Sequence, residues 1–331
     1  MMELESKSEA TCKVIKYDKE DKYGPCYIVE TKDGRQVKIA DTFAEMFPLW
    51  VGRVLITADN EKWALKAAEV ATGFATSVIM APAEAGVEAM VPNEKTPDGR
   101  VGVLIQIYNR NRFELKTQMM LRIGQCVMTC PTTAAFDGLP EAKRRLKIGR
   151  SLRYFGDGFE RKGVVGNRKV WRIPVMEGEF IVEDSFGAAE AVAGGNFLIL
   201  AKDKKSGLMA AEVAVEAIRA SNVEVILPFP GGICRAGSKA GSLKYKLIAS
   251  TNHPFCPSLK KVIEDTQLPE DVGAVYEVVI NGLTLDAVKK AMGVGVMAAI
   301  NVPGVVRITA GNYGGKLGPY KAHLKDVLGI S

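Results

Sequence analysis

The chain has 331 residues, with 47% hydrophobic and 25% charged side chains and a formal net charge of +6. That length carries two ordinary domains with their own cores, and that balance argues against extensive disorder. The charge is mild and interleaved, with no basic stripe carrying stacking aromatics, which argues against nucleic acid. No apolar run reaches the ~18 residues of a membrane span, and the longest, 294–306, is broken by Asn301 and Pro303.

Residues 1–32 read as an N-terminal extension, with short strands at 12–17 and 27–31 around a Lys/Asp/Gly-Pro turn. The acidic start, with Glu3, Glu5 and Glu9, lacks the basic and apolar parts of a signal peptide, so cytoplasm is expected. A first lobe follows at 33–177. Strands are expected at 53–58, 76–80, 101–108 and 170–175, and helices at 61–74 and 113–128, the second ended by Pro131. A second lobe, 178–331, repeats the order. Its strands are expected at 197–201, 223–227, 243–250, 275–280 and 305–309, and its helices at 208–220 and 285–300.

The repetition is visible in the letters. Residues 39–71 align without a gap to residues 182–214 at an offset of 143 (Asp41 to Asp184), with 13 identities in 33 positions. Average composition gives about two such matches by chance. Ala67-Ala68-Glu69-Val70-Ala71 recurs unchanged as Ala210 to Ala214. The expected fold is therefore α+β: two pseudo-duplicated ferredoxin-like lobes of βαββαβ type, each a mixed or antiparallel sheet with helices on one face.

Six cysteines are scattered, and only Cys126 and Cys130 are close; their spacing fits neither a redox pair nor half of a zinc site, so they read as small core residues. With two histidines, His253 and His323, a His-rich metal site is excluded and a Ser-His-Asp triad is not expected. Glycine-rich turns stand at strand ends: 193–196, 228–232, 236–241 and 310–318. Such turns let backbone amides approach an anion, although each by itself is more often only a turn. The last misses the phosphate-loop pattern, since Ala310 stands where glycine is needed and Leu317 follows Lys316.

Glu277 is the ionisable residue that invites attention. Strand alternation puts it on one face with Val275 and Val279. On a buried face its proton affinity rises, and a neutral carboxylic acid can donate to a developing oxyanion; on a solvated edge it is an ordinary strand glutamate. Spacing leaves both readings open.

The strings Asp41-Thr42-Phe43-Ala44-Glu45, Pro82-Ala83-Glu84-Ala85-Gly86, Thr96-Pro97-Asp98-Gly99-Arg100, Arg122-Ile123-Gly124-Gln125-Cys126-Val127, Phe155-Gly156-Asp157-Gly158-Phe159-Glu160, Pro228-Phe229-Pro230-Gly231-Gly232-Ile233 and Thr309-Ala310-Gly311-Asn312-Tyr313-Gly314-Gly315-Lys316 resemble formylmethanofuran:tetrahydromethanopterin formyltransferases. The resemblance runs from about residue 37 to the C-terminus. It implies a proximal and a distal lobe, here assigned to the first and second in chain order. It also implies reversible formyl transfer between methanofuran and tetrahydromethanopterin, bound as coenzyme substrates, without prosthetic group or metal. The implied assembly is a homotetramer built from dimers, with formylmethanofuran in a long cleft at a subunit interface and the pterin in a shallower one. The family's key glutamate falls on Glu277. Candidate substrate contacts are Thr132, Thr133, Gly194, Gly195, Asn196, Gly231, Gly232, Ser238, Lys239, Asn312, Tyr313 and Lys316; Lys239 and Lys316 read either as meeting substrate carboxylates or phosphate or as solvated surface lysines. A subunit of a formyltransferase/hydrolase complex and a non-catalytic pterin-binding paralogue are the alternatives. At the constant offset Glu277 falls opposite Ala134, so only the second copy is expected to carry the acid.

Overall fold

In the computed structural model, which describes residues 13–330, the chain opens with an antiparallel meander of β1 (Lys13–Asp18), β2 (Cys26–Glu30) and β3 (Gln36–Ala40). The expected N-terminal hairpin is present; Cys12, its expected first residue, lies outside the described residues.

The first lobe then follows as β4 (Phe43–Thr57), α1 (Glu61–Thr72), β5 (Glu84–Val91), β6 (Gly102–Asn109), α2 (Arg112–Arg122) and β7 (Ala134–Asp137). Asn60 caps α1 by accepting from the Trp63 amide at 3.2 Å, and Asn111 caps α2 through the Glu114 amide at 2.9 Å. α2 runs on as a π-helical segment, Ile123–Val127, so the expected long helix changes hydrogen-bond pitch in its last turn. The strands pair antiparallel in the order β5-β6-β4-β7, which is the ferredoxin-like arrangement. α1 buries Ala64, Ala67, Ala68 and Ala71 against Val54, Ile56, Val103 and Ile105 of the sheet. A further excursion follows with β8 (Arg144–Leu146), α3 (Ile148–Leu152), β9 (Arg161–Val165), β10 (Arg168–Val175) and β11 (Gly178–Glu183); β11, β10 and β9 extend the sheet beyond β7, and β8 pairs with the start of the strand Phe186–Ala201.

The second lobe repeats the order with β12 (Phe186–Ala201), α4 (Lys204–Ala220) and β13 (Val225–Ile226). An insertion follows, carrying the hairpin β14 (Ser238–Ala240) and β15 (Ala249–Thr251). The motif closes with β16 (Ala274–Gly282), α5 (Leu285–Ile300) and β17 (Val305–Thr309), and the chain ends in β18 (Tyr320–His323) and α6 (Leu324–Val327). The order is β17-β12-β16-β13, the same topology as the first lobe. Asp203, the repeat partner of Asn60, caps α4 through the Ser206 amide at 2.9 Å. The duplicated letters therefore specify the same strand, the same cap and the same helix.

The two lobes share one sheet. β4 and β12 pair antiparallel through their N-terminal halves, Trp50 facing Glu190 and Phe47 facing Ala193. Shifting by the repeat offset carries the first of these pairs onto the second. The long strands thus meet about a local two-fold, and a cleft forms beside the junction.

Several expectations change. Residues 76–80 form turns, not a strand, and the second strand begins at Glu84. Residues 243–250 are largely irregular; only Ala249–Thr251 is extended. The fourth strand of the first lobe is the short β7, not residues 170–175, which form β10 in the excursion. The constant offset therefore misaligns the later strands. Leu55 of β4 faces Leu104 of β6, and its repeat partner Leu198 faces Glu277 of β16, so the counterpart of Glu277 is Leu104 rather than Ala134.

The N-terminal strands join the second lobe, where β3 lies parallel to β17. Arg307 of β17, 2% exposed, binds Asp21 Oδ1 at 2.8 Å and donates to the carbonyls of Tyr23 and Gly24 at 3.0 and 2.9 Å. Removing one partner of such a buried pair costs about 3–5 kcal/mol. Arg35 adds hydrogen bonds to the Asn301 and Val302 carbonyls at the end of α5. The described part of the extension, through Asp21, Tyr23 and Gly24, is thus fastened to the core.

Candidate active site

β16 has two unlike faces. Val278 and Ile280 pack with Phe197 and Ile199 beneath α4 and α5. Val275, Glu277 and Val279 point to the opposite face, which no helix of the motif covers. On this face Glu277 lies directly across from Leu198 on one side. On the other side Cys234 forms an isolated antiparallel bridge with it, N–H to carbonyl both ways at 2.8 Å. Directly opposed residues in an antiparallel pair share a face, so the Cys234 thiol and the Glu277 carboxyl stand together. Gly237 closes the third side: a Cβ there would lie 2.7 Å from Glu277 Oε2. Among the glycines of the 236–241 turn, this one is needed for close approach.

Burial pushes the Glu277 carboxyl up to about 7, with a hydrogen bond from the Cys234 thiol pulling the other way. Residue Glu277 is half-buried over its whole surface, yet its carboxyl end is desolvated. The carboxyl tip is what titrates, so the environment of the tip decides. Burial, then the nearby Glu277 charge, pushes the Cys234 thiol up to about 11. A thiol so placed holds almost no thiolate at neutral pH.

Glu277 opens into a cleft of about 760 Å³ at the junction of the lobes. The first lobe contributes Phe47 and Pro48 of β4, the turn at 76–81, Glu84 and Arg110; the second contributes Gly194, Asn196 and Val279. The insertion adds Cys234, Ser238 and the strand β15, and the C-terminal loop adds Tyr313 and Leu317. Burial, then the Glu277 and Glu45 charges, raises the Tyr313 phenol to about 12, so it stays protonated, and it donates to the Ser238 carbonyl.

The expected site residues divide. Gly194, Asn196, Ser238, Tyr313 and Glu277 line this one cleft. Gly194 has a φ of 85° and gives its amide to Asn281 Oδ1 at 3.0 Å. Asn196 Oδ1 accepts from the Gly311 amide at 2.6 Å, tying β12 to the C-terminal loop. Asn312 supports that loop through Thr42 Oγ1 at 2.8 Å. Gly195 has a packing role, because a side chain there would run into Val288 of α5. Gly231 lines a second cavity of about 750 Å³ between the ends of α1 and α4, and Gly232 packs against Leu227 and Val215. The Lys239 amine is engaged by His253 Nδ1 at 3.0 Å, and His253 in turn meets Asp265 at 3.0 Å. Lys316 is exposed and does not line the cleft. Thr132 and Thr133 do not line it either; Thr133 Oγ1 bonds the Val127 and Cys130 carbonyls at the end of the π segment, and Thr132 accepts from the Asp59 amide.

Three participants are not among the expected site residues. Glu84, 4% exposed, accepts from the Val78 amide at 3.1 Å and from Asn281 Nδ2 at 2.6 Å, bracing the 76–81 turn against the second lobe; burial raises its proton affinity. Glu45, 1% exposed, accepts four backbone amides of the C-terminal loop. Gly237 meets Glu277. Each acts across a large sequence separation, and only the shared topology brings these residues together. No group of three or more His, Cys, Asp or Glu side chains among the described residues is placed to hold a metal ion, and no helix there is long and apolar enough to cross a membrane.

The sequence matches two family models. Residues 33–175 match formylmethanofuran-tetrahydromethanopterin formyltransferase, and residues 178–327 match that family's proximal lobe. The label proximal thus falls on the second lobe, not the first. Curated relatives carrying the name formylmethanofuran–tetrahydromethanopterin formyltransferase include one from Methanocaldococcus jannaschii, 56% identical over 88% of this chain and 98% of its own, and one from Methanopyrus kandleri, 55% identical with the same coverage. The solved formylmethanofuran:tetrahydromethanopterin formyltransferase of Methanosarcina barkeri superposes with a TM-score of 0.85 at 52% identity, covering 88% of this chain and 98% of that one. A chain of the formyltransferase/hydrolase complex from Methylorubrum extorquens, solved with methylofuran, also gives 0.85, at 46% identity over 90% of this chain and 98% of that one.

Proposed function

This chain belongs to the formylmethanofuran–tetrahydromethanopterin formyltransferase family, and we propose that it transfers a formyl group between those two coenzymes by direct attack in the cleft that holds Glu277. The observation that carries the mechanism is the desolvated carboxyl of Glu277, with a pKa of about 7, between Cys234 and Gly237.

An amine of the pterin attacks the formamide carbon, the new C–N bond forms, and negative charge gathers on the carbonyl oxygen. Protonated Glu277 donates a hydrogen bond to that oxygen. A lost donor of this kind typically costs about 3–4 kcal/mol of barrier. Collapse restores the carbonyl and breaks the bond to methanofuran, whose nitrogen takes up a proton while the attacking amine gives one up. Holding both bulky substrates in line supplies a further large share of the acceleration. The scheme contains no acyl-enzyme, which agrees with a Cys234 thiol held at about 11, far from its nucleophilic form.

The test is a formyl-transfer assay with both purified coenzymes. Transfer without label retained on the protein supports the direct scheme; a radiolabelled formyl group trapped on the chain would sink it. Binding of the pterin without turnover would make the chain a non-catalytic paralogue.

The same reading takes methanofuran and tetrahydromethanopterin as substrates without prosthetic group or metal, and the active assembly as a cytoplasmic homotetramer of dimers with formylmethanofuran at a subunit interface. Light scattering at working concentration tests the assembly. A second reading, as the transferase subunit of a larger complex, draws on the likeness to the Methylorubrum extorquens assembly. Copurification of a hydrolase subunit from the native source decides for it.

A further inference from the structure

The C-terminal loop at 310–318 has the form of an anion nest. Gly314 and Gly315 take φ of 69° and 77°, which turns successive backbone amides inward. From sequence such a loop invites a substrate carboxylate or phosphate. In the fold its anion is already present and belongs to the protein. Glu45 Oε2 accepts the Tyr313 amide at 2.8 Å and the Gly315 amide at 3.1 Å; Oε1 accepts the Gly318 amide at 3.0 Å and the Leu317 amide. Burial pushes this carboxyl up, and the four amide donors more than offset the push, so its pKa lies below the usual carboxylate range. The Glu45 amide meanwhile donates to the Gly311 carbonyl, and Asn312 reaches back to Thr42, so the loop is laced to the first residues of β4. At Gly318 a side chain would strike the Met46 carbonyl, so the contact between loop and strand is backbone to backbone.

The loop's outward products are Tyr313 and Leu317, both of which line the cleft that contains Glu277. Tyr313 spans to the insertion by donating to the Ser238 carbonyl. A single buried anion on β4 thereby fixes the join between two cleft walls that are far apart in sequence.

We infer that Glu45 is a positioning residue for the transfer reaction: its carboxylate is the form on which the loop is wound, and through the loop it sets Tyr313 and Leu317 as substrate-binding wall. Glu45 itself borders the cleft, but with 1% exposure and both oxygens taken by loop amides it acts through the loop. Because the wall contributes binding rather than charge to the reacting carbonyl, loosening it raises KM and leaves kcat nearly unchanged, the opposite of what loss of Glu277 does.

The kinetic arm of the test rests on the formyl-transfer reading; the exchange arm does not. In the wild type, amide hydrogen exchange is expected to be slow at Tyr313, Gly315, Leu317 and Gly318. Glu45→Gln, which keeps one acceptor oxygen but turns an N–H₂ toward the other pair of amides, releases that pair and raises the KM of at least one coenzyme by about tenfold with kcat within about threefold. Wild-type amides exchanging as an open loop overturn the inference, and so does a folded Glu45→Gln protein with released amides and an unchanged KM. If Glu45→Gln does not fold, Tyr313→Ala must show the same split between KM and kcat, and an unchanged KM again overturns it. Protected amides in a wild-type protein that fails to transfer formyl groups place the failure in the functional reading, not in the latch.

Discussion

The two lobes place the same row of residues at the same point of the same sheet, and fill it differently. In the first lobe the row across three strands is Phe136, Leu55 and Leu104; in the second it is Thr309, Leu198 and Glu277. The first row belongs to a dry cluster, where Leu55, Ala134, Phe136 and Val170 are buried and Leu104, Val165 and Ile181 pack against them. The excursion β9–β11 supplies part of that cover. The second lobe has its extra residues elsewhere, between β13 and β16, and there they build a wall with an opening. On the proposed mechanism, the duplicated scaffold carries its site where that face is lined by the insertion and where glutamate stands at the position that holds leucine in the first lobe.

The comparison can be broken by experiment. The largest expected effect is Glu277→Ala, which removes the donor and lowers kcat by about 10²–10³ with little change in KM; steady-state kinetics on a folded variant read it. Next is the reciprocal substitution, Leu104→Glu. A carboxyl set against an apolar cluster without a partner costs about 1–3 kcal/mol, read as a fall in Tm, and it creates no second site because the short β5–β6 connection has no counterpart of the insertion that carries Cys234 and Gly237. A gain of activity from that variant would contradict the role given to the insertion. Gly237→Ala is smaller. Its new methyl group meets Glu277 Oε2, displaces the carboxyl and lowers kcat about tenfold with Tm near that of the wild type. Unchanged kcat would mean that the placement of the carboxyl is not critical. Smallest is Lys316→Ala, expected to alter either KM by less than about twofold, since the exposed amine lies outside the cleft.

The duplication and the ferredoxin-like order were legible in the letters; for Glu277 the strand alternation left two readings open, and only the family resemblance chose between them. Helix periodicity is local and placed α1 and α5, but the cap Asp203 went unread, so α4 begins at Lys204 rather than at the expected residue 208. The alternation Val275-Glu277-Val279 is local too. What else failed was less local. β7 is four residues long, so Val170–Val175, with a fuller strand pattern, took its place. β4 and β12 run for 15 and 16 residues, but Pro48 and the Gly194-Gly195 pair resemble breakers and hide their N-terminal halves. At the site, Lys239 and the two threonines have partners of their own and Lys316 is exposed outside the cleft, whereas Glu45 lies in a strand and serves a loop far along the chain, and Glu84 ties the nearby 76–81 turn to Asn281 of the second lobe. Glu45 is 272 positions from the Leu317 amide it accepts, a relation that no window of sequence contains.

The most direct test of the account compares the pH dependence of kcat/KM for the wild type, Glu277→Gln and Glu277→Ala. A carboxyl that acts protonated, with a pKa of about 7, gives a level rate in acid and a decline as pH rises through that value, because rising pH ionises the donor. Gln keeps a donor that does not titrate, so its profile loses the decline and its rate stays above that of Ala. Equal residual rates for Gln and Ala, or an alkaline limb that survives in Glu277→Gln, would contradict the assignment of Glu277 as the hydrogen-bond donor to the oxyanion.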